Sequence, residues 1–178
     1  PRLLAGDRRA DAPPHLVTEL IAGEPGNVLL DDPTDAIALA TEMGRLVRTV
    51  ASVDVADVRL PGTWADPAAL AAAADRWLAR VGGELGAAVG TAASAQLARI
   101  PDAFAGRPAV LTHGDWVPVN VLVRGRTVVG VVDWEQARLA DPLFDLAWWA
   151  WIIRVHHPDR YAAAVPALFE TAEVTLDE

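Results

Sequence analysis

The chain has 178 residues, of which 52% are hydrophobic, and a formal net charge of -9 from 24 acidic and 15 basic residues. This length supports one hydrophobic core and is short for two independent domains. The acidic balance argues against a nucleic-acid partner, because binding to phosphates requires a basic face. The sequence has no cysteine, so it excludes a disulfide framework and gives no support to secretion.

The hydrophobic pattern also argues against a membrane partner. The longest apolar run, Leu146 to Ile153, is far shorter than the roughly 20 residues that cross a bilayer. We expect this run to be a buried helix. No signal-like apolar segment is found at the N-terminus. The composition is typical of a globular protein of the cytoplasm, and it leaves the oligomeric state unassigned.

The first half of the chain is predicted to be mostly helical. Asp32-Pro33-Thr34-Asp35 provides an N-cap, a proline at the first helical position and an acid in the first turn. A second pair, Asp66-Pro67, precedes a predicted helix from Ala68 to Arg80. A third helix is predicted from Ala87 to Ile100, and Pro101 is expected to stop it.

The second half is predicted to contain a β-hairpin followed by two helices. The segments Val121 to Val123 and Thr127 to Val132 are apolar and β-branched, and Arg124-Gly125-Arg126 between them contains the glycine that a tight turn favours. The two helices are predicted at Leu143 to Val155 and from Pro158 onwards.

Polar residues lie near the start and end of this hairpin. Asp115 lies in a His-Gly-Asp turn after the apolar run Pro108 to Thr112, Asn120 precedes the first strand, and Asp133 follows the second. Folding the hairpin brings Asn120 close to Asp133. Their hard oxygen atoms suit Mg²⁺, with water and substrate phosphate completing the coordination. Asp115 is then free to take part in chemistry.

These motifs resemble the aminoglycoside phosphotransferase and choline kinase family, small-molecule relatives of the protein kinases. His113-Gly114-Asp115 with Asn120 is similar to the H-G-D-x-x-x-x-N catalytic loop of that family. Asp133-Trp134-Glu135 matches the metal-binding acid after a strand, and Asp141-Pro142 with Asp145-Leu146-Ala147 matches the start of the next helix. The resemblance implies an α+β fold: a protein-kinase-like C-terminal lobe, mainly α-helical, with a catalytic β-hairpin.

The resemblance also implies a role for each polar residue. Asp115 is expected to be the catalytic base toward the hydroxyl of a small molecule, while Asn120 and Asp133 hold Mg²⁺ against the phosphates of ATP or GTP. His113 is expected to support the site by binding backbone near the metal-binding acid. Asp145 needs partners if it is buried, and the backbone amides of the catalytic loop are the expected ones.

The start of the chain resembles the end of a small lobe. His15 to Leu20 is similar to its last strand, and Ile21 to Glu24 to the hinge. Backbone groups at Thr18, Glu19 and Leu20 are expected to bind the nucleotide. We therefore expect residues 1–24 to be a small-lobe remnant with the hinge, and residues 25–178 to be the kinase-like large lobe.

The missing lysine complicates this interpretation. All 15 Lys+Arg residues are arginine, so the phosphate-anchoring lysine of the family is not in this chain. Because the chain also starts at Pro1 rather than at methionine, we expect it to be part of a longer protein; a degenerate kinase is the other explanation.

The positions of the tryptophans relative to the motifs predict which of them lie in the substrate cleft and which in the core. Trp116 lies inside the catalytic loop and is the one expected in the substrate cleft. Trp134, Trp148, Trp149 and Trp151 are expected in the core.

The acidic excess favours a cationic acceptor, such as an aminoglycoside-like or other amino alcohol, ahead of a neutral sugar or macrolide hydroxyl. Two other functions stay open. One is a non-catalytic kinase-like binding module, which the missing lysine favours. The other is a metal-dependent phosphoesterase in which His113, Asp115 and Asp133 gather a metal that activates water.

Overall fold

The computed structural model describes residues 2–7, 15–57, 59–84 and 86–174. The chain begins with an antiparallel hairpin of β1 (Leu3–Asp7) and β2 (His15–Thr18). The side chains of Leu3, Leu4 and Leu16 on this hairpin are exposed. The proposed domain ranges 1–24 and 25–178 both extend over residues outside the described part of the chain.

Helix α1 (Pro33–Ala51) begins where the sequence predicts. The Asp32 carboxylate accepts hydrogen bonds from the N–H groups of Thr34 and Asp35, at 2.8 and 3.0 Å. Between β2 and this helix lie strand β3 (Glu24–Pro25) and a 3-10 turn over Gly26–Asp31. The N-cap prediction is confirmed.

The next three helices form a peripheral helical segment. They are α2 (Pro67–Val81), which Asp66 caps as predicted, α3 (Ala87–Leu97) and α4 (Ile100–Ala103). The prediction that one helix runs to Ile100 and stops at Pro101 is wrong. Pro101 lies in the first turn of α4. The N–H groups of a first turn have no partner within the helix, so a proline there costs no hydrogen bond. The proline therefore starts a helix here.

The predicted hairpin is present with nearly the predicted bounds. Strand β4 (Val110–Thr112) leads into the loop, and β5 (Val121–Arg124) pairs antiparallel with β6 (Thr127–Val131). Gly125 in the turn has a φ of 59°, which glycine adopts without steric cost. Strand β3 adds to the other edge of β5, and β7 (Arg138–Ala140) pairs with β4.

The core lies where α1 meets the last two helices, α5 (Phe144–His156) and α6 (Pro158–Thr171). Helices α1 and α6 approach closely at Gly44, where a Cβ would collide with the side chain of Thr171 and the carbonyl of Leu168. The fully buried apolar residues of this core include Leu39, Met43, Trp116, Trp149, Ile153 and Leu168.

The architecture is α+β, with a majority of helix and small antiparallel sheets, as predicted. The helical core supports one face of the hairpin, because Val121 and Val123 of β5 belong to the same apolar cluster as α1, α5 and α6. Among the described residues, no helix is both long and apolar enough to cross a membrane.

Candidate active site

The loop between β4 and β5 is fastened to helix α5 by a buried carboxylate. Asp145, in the first turn of α5, accepts hydrogen bonds from the backbone N–H groups of His113 (2.7 Å) and Gly114 (3.0 Å). These are the partners that the sequence predicts for this residue. Burial raises the pKa of Asp145, while the two N–H donors act in the opposite direction.

His113 connects this loop to the end of the hairpin. Its ring is fully buried, and its Nδ1 accepts a hydrogen bond from the Asp115 N–H at 3.3 Å. Because Nδ1 accepts, Nε2 carries the proton and donates to the carbonyl of Val132 at 2.8 Å. The expected contact between His113 and the backbone beside Asp133 is therefore present in the structure.

Gly114 is required at its position by its backbone conformation and by its surroundings. Its φ is 83°, in the left-handed region, and a Cβ would collide with the carbonyl of Gln136. The glycine lets the catalytic loop pass directly against the segment that follows the hairpin.

The Asp115 carboxylate is held from both sides by hydrogen-bond donors. Asn120 Nδ2 donates to Oδ2 at 3.0 Å, and Trp148 Nε1 donates to Oδ1 at 2.9 Å. The same Asn120 nitrogen also donates to the Asp115 carbonyl at 3.0 Å. The side chain remains half-buried, so it is fixed in orientation and still reachable.

The hairpin brings Asn120 and the segment of Asp133 together. The Val132 N–H donates to the Asn120 carbonyl at 2.9 Å, which places Asp133 one residue away from this contact. Asp133 is exposed and has a left-handed backbone, with φ 65° and ψ 58°. That conformation is uncommon for a residue with a Cβ and is enriched at aspartate and asparagine.

These two residues fit a Mg²⁺ site in their donor chemistry. The Asn120 nitrogen is committed to Asp115, so its amide oxygen is the atom left for a cation, and Asp133 offers an exposed carboxylate. Mg²⁺ takes few protein ligands and keeps several waters. The described residues contain no cluster of three or more His, Cys, Asp or Glu side chains that could hold a metal ion. A site here would therefore depend on substrate phosphates and water.

The assignment of the tryptophans from sequence is largely wrong. Trp116 is 0% exposed and packs in the main core, so it does not line a cleft. Trp149 is buried as predicted, but Trp134 and Trp151 are 40% and 52% exposed. Trp148, expected in the core, instead contacts the Asp115 carboxylate.

One cavity adjoins the Asp115 carboxylate, and a second lies against its donor Trp148. One, of about 410 Å³, is lined by Asp115 itself together with Asn27, Val117, Ile152, His156 and His157. The other, of about 500 Å³, lies against Trp148, and its walls are almost entirely apolar. They include Phe104, Leu143, Phe144, Ala147 and Trp151.

Sequence reasoning missed Trp148, although a signal was available. It lies three residues after Asp145 on a predicted helix, and residues at this spacing share one helix face. Since Asp145 was already expected to contact the catalytic loop, the next turn of the same face had to approach that loop too.

The segment Thr18 to Leu20, expected to bind the nucleotide, makes contacts with the start of the chain. The Glu19 N–H donates to the Arg2 carbonyl at 2.9 Å, and the Glu19 carboxylate pairs with the Arg2 guanidinium at 2.7 Å. That N–H group is thus engaged within the described hairpin. Thr18 and Leu20 are exposed, and nucleotide binding by Thr18, Glu19 and Leu20 stays a prediction.

A known protein family matches nearly the whole chain. A family model described as "Phosphotransferase enzyme family" (APH) matches residues 1–177. A comparison with curated protein sequences found no significant match.

Solved structures with a similar fold include a macrolide 2'-phosphotransferase, MphH from Brachybacterium faecium. It is 26% identical with a TM-score of 0.63, and the match covers 85% of this chain and 53% of that one. The chain thus spans about half the length of this relative.

Two aminoglycoside phosphotransferases share the fold at lower identity. APH(3'')-Id from Streptomyces rimosus, in complex with ADP and streptomycin, is 20% identical with a TM-score of 0.65, over 99% of this chain and 70% of that one. The GDP and kanamycin complex of APH(2")-IIIa is 17% identical with a TM-score of 0.69, over 99% and 61%.

Proposed function

This chain belongs to the phosphotransferase enzyme family, and on that premise we propose that it is the catalytic lobe of a kinase that phosphorylates a hydroxyl group of a small molecule. Residues 25–178 would form the large lobe, and residues 1–24 the hinge and the end of the small lobe. The working protein would act in the cytoplasm, on small molecules and without nucleic-acid or membrane partners.

One observation carries the proposal: two side-chain donors, from Asn120 and Trp148, orient the Asp115 carboxylate in a loop that also lies against the segment of Asp133. A structural aspartate in a turn needs no such arrangement, because turn aspartates bind nearby backbone N–H groups. Here the donors are side chains from the turn before β5 and from α5, and the carboxylate borders a cavity.

The proposed reaction depends on positioning. Asp115 would orient the acceptor hydroxyl and take its proton as the new oxygen–phosphorus bond forms. The bond from the γ-phosphorus to the bridging oxygen breaks in the same transfer, and a nucleoside diphosphate leaves. Asn120 and Asp133 would hold Mg²⁺, which when bound supplies neutralisation of phosphate charge and polarises the terminal phosphoryl group.

A nucleoside triphosphate is the proposed phosphate donor. Two of the structural relatives are complexes with ADP and GDP, which supports ATP or GTP here. The nucleobase of this donor would lie near Thr18, Glu19 and Leu20.

The net charge of the chain and the lining of the cavity against Trp148 favour different acceptors. The net charge of -9 supports an aminoglycoside-like or other amino alcohol, attracted toward Asp115. The apolar cavity against Trp148 supports a second candidate, a bulky acceptor with an apolar body such as a macrolide. One relative is a macrolide 2'-phosphotransferase, which agrees with this second candidate.

The two competing functions have less support. A phosphoesterase that activates water on a metal would need more protein ligands than the described residues gather near Asp115. A non-catalytic binding module would follow from the missing lysine, yet it would not require an oriented, accessible carboxylate at the loop.

An acceptor screen tests the proposed function. The full-length protein would be assayed for phosphate transfer from ATP and from GTP to kanamycin, streptomycin, erythromycin and choline, at two salt concentrations. A cationic acceptor should bind more weakly at high salt, because charges are screened over about 8 Å at physiological ionic strength.

The outcomes separate the candidates. Turnover confined to erythromycin would reject the cationic assignment and keep the phosphotransferase. Phosphate release without any acceptor or nucleotide requirement would favour the phosphoesterase, and nucleotide binding without turnover would favour the binding module.

A further inference from the structure

Helix α5 contacts the catalytic loop twice, through different groups. At its first turn, Asp145 binds the backbone N–H groups of His113 and Gly114. One turn later, the indole N–H of Trp148 donates to Oδ1 of Asp115 at 2.9 Å. The first contact fixes the course of the loop backbone, and the second acts on the reactive side chain itself.

The indole of Trp148 is held in place by packing. Its ring stacks on that of Trp151, with centroids 5.1 Å apart and planes at 28°. Its other neighbours around the apolar cavity include Leu143 and Phe144. A ring fixed by packing presents its N–H in one direction, so the donor is preorganised before substrate arrives.

A carboxylate with a single donor can still rotate about its terminal bond. In this site Asn120 Nδ2 occupies Oδ2, at 3.0 Å, and Trp148 Nε1 occupies Oδ1. Two donors on separate oxygens fix the plane of the carboxylate. Each oxygen still has a second lone pair. Such a lone pair can accept a hydrogen bond from the hydroxyl group that is to be phosphorylated.

We propose that Trp148 is a positioning residue for phosphate transfer, whose indole N–H fixes the orientation in which Asp115 receives the acceptor hydroxyl. The inference rests on the proposed function. It assigns Trp148 a role in the rate of the chemical step rather than in substrate affinity, since a misplaced reacting group lowers turnover by loss of near-attack geometry.

The test is a pair of substitutions in the full-length protein, assayed with the best acceptor from the panel of kanamycin, streptomycin, erythromycin and choline. Trp148→Phe keeps an aromatic ring and removes the N–H. We expect kcat to fall roughly tenfold to hundredfold, the effect of losing one hydrogen bond to a charged group, while KM for MgATP and for the acceptor changes by less than about twofold.

Trp77→Phe is the matched control, because Trp77 is a half-exposed tryptophan on α2 whose ring packs against that of Trp64, outside the loop and the two cavities described above. It should retain kcat within about twofold. Benzothienylalanine at position 148, which replaces the N–H by sulfur in a ring of nearly the same shape, covers the case in which Trp148→Phe folds poorly.

Three results would overturn the inference. One is a near-normal kcat in the benzothienylalanine protein. Another is an equal loss of kcat in the Trp148→Phe and Trp77→Phe proteins, which would show that the loss does not depend on the N–H beside Asp115. The third is a rise in the acceptor KM at unchanged kcat, which would make Trp148 a wall of the binding pocket. A wild-type protein that phosphorylates no acceptor would instead reject the proposed function, and the role of Trp148 with it.

Discussion

His113, a ring buried in the core, connects Asp115 to the segment of Asp133. It accepts from the Asp115 N–H and donates to the carbonyl of Val132, the residue before Asp133. A shift at either end would therefore be transmitted to the other. This arrangement agrees with the expectation that His113 supports the loop through hydrogen bonds.

The contacts of His113 and Asp145 could be predicted from the sequence, because each follows from a local requirement. A carboxylate at a buried helix start needs donors, and the nearest unpaired amides belong to the preceding loop. Trp116 and Trp148 could not be placed in this way. Both are apolar residues near a motif, and their burial depends on packing between α1, α5 and the loop.

Removal of the Asp133 carboxylate should weaken nucleotide binding only when metal is present. We expect Asp133→Ala to lower the affinity for MgATP by at least about tenfold, the range found for weakened metal sites, and to leave metal-free ATP binding nearly unchanged. Calorimetry of the full-length protein with and without Mg²⁺ measures both.

Glu135→Ala is the control for this variant, because Glu135 is an exposed acid two residues further along the same turn. Equal losses of affinity with and without Mg²⁺, or the same loss in the Glu135 variant, would contradict the assignment of Asp133 as a ligand.

At the level of elements, local signals predicted the helix starts and the hairpin well. Asp-Pro pairs mark the starts of α1 and α2, and β5 and β6 start where predicted and each differ from the predicted strand by one residue at the C-terminal end. The pairing of β4 with β7 was not predicted, since it joins segments separated by the whole hairpin. The break between α3 and α4 was missed because proline is compatible with both a stop and a start.

The N-cap of α1 gives a prediction for pH dependence. Hydrogen bonds from the N–H groups of Asp35 and Thr34 lower the pKa of Asp32 below its usual 3.8. A lowered pKa stabilises the folded state above pH 3.8, and this stabilisation is lost as the pH falls further. Asp32→Asn keeps a cap of similar shape without the charge.

The free energy of unfolding of the wild type, minus that of Asp32→Asn, should therefore be constant near neutral pH and decrease as the pH falls through the normal aspartate range. Urea unfolding of both proteins at several pH values measures this difference. A difference that does not change with pH would mean that the charge of Asp32 contributes nothing to the cap.

For the whole molecule, the hairpin of β1 and β2 stands out because several of its apolar side chains are not buried in the described structure. Its apolar side chains Leu3, Leu4 and Leu16 are exposed, and isolated two-stranded hairpins are marginally stable in water. The chain also covers about half of the MphH structure and contains no lysine. Both observations agree with the proposal that this chain is the catalytic lobe.

Residues 1–178 alone should bind ATP weakly and transfer phosphate at a negligible rate. The physical reason is that no lysine is present to fix the α- and β-phosphates. The exposed apolar hairpin should also make this fragment poorly soluble. Calorimetry and a transfer assay, run beside the full-length protein, measure the first two properties; robust kinase activity of the fragment would show that the lobe is sufficient.

The measurement that tests the central claim most directly is phosphate transfer by the full-length protein with Asp115→Asn. Asparagine keeps the shape of the side chain and cannot accept the hydroxyl proton, so kcat should fall by about 10²- to 10⁴-fold. MgATP binding and the melting temperature should stay close to those of the wild type, and Glu170→Gln, an exposed acid on α6, should be fully active. Near-normal turnover by Asp115→Asn would contradict the assignment of Asp115 as the catalytic base.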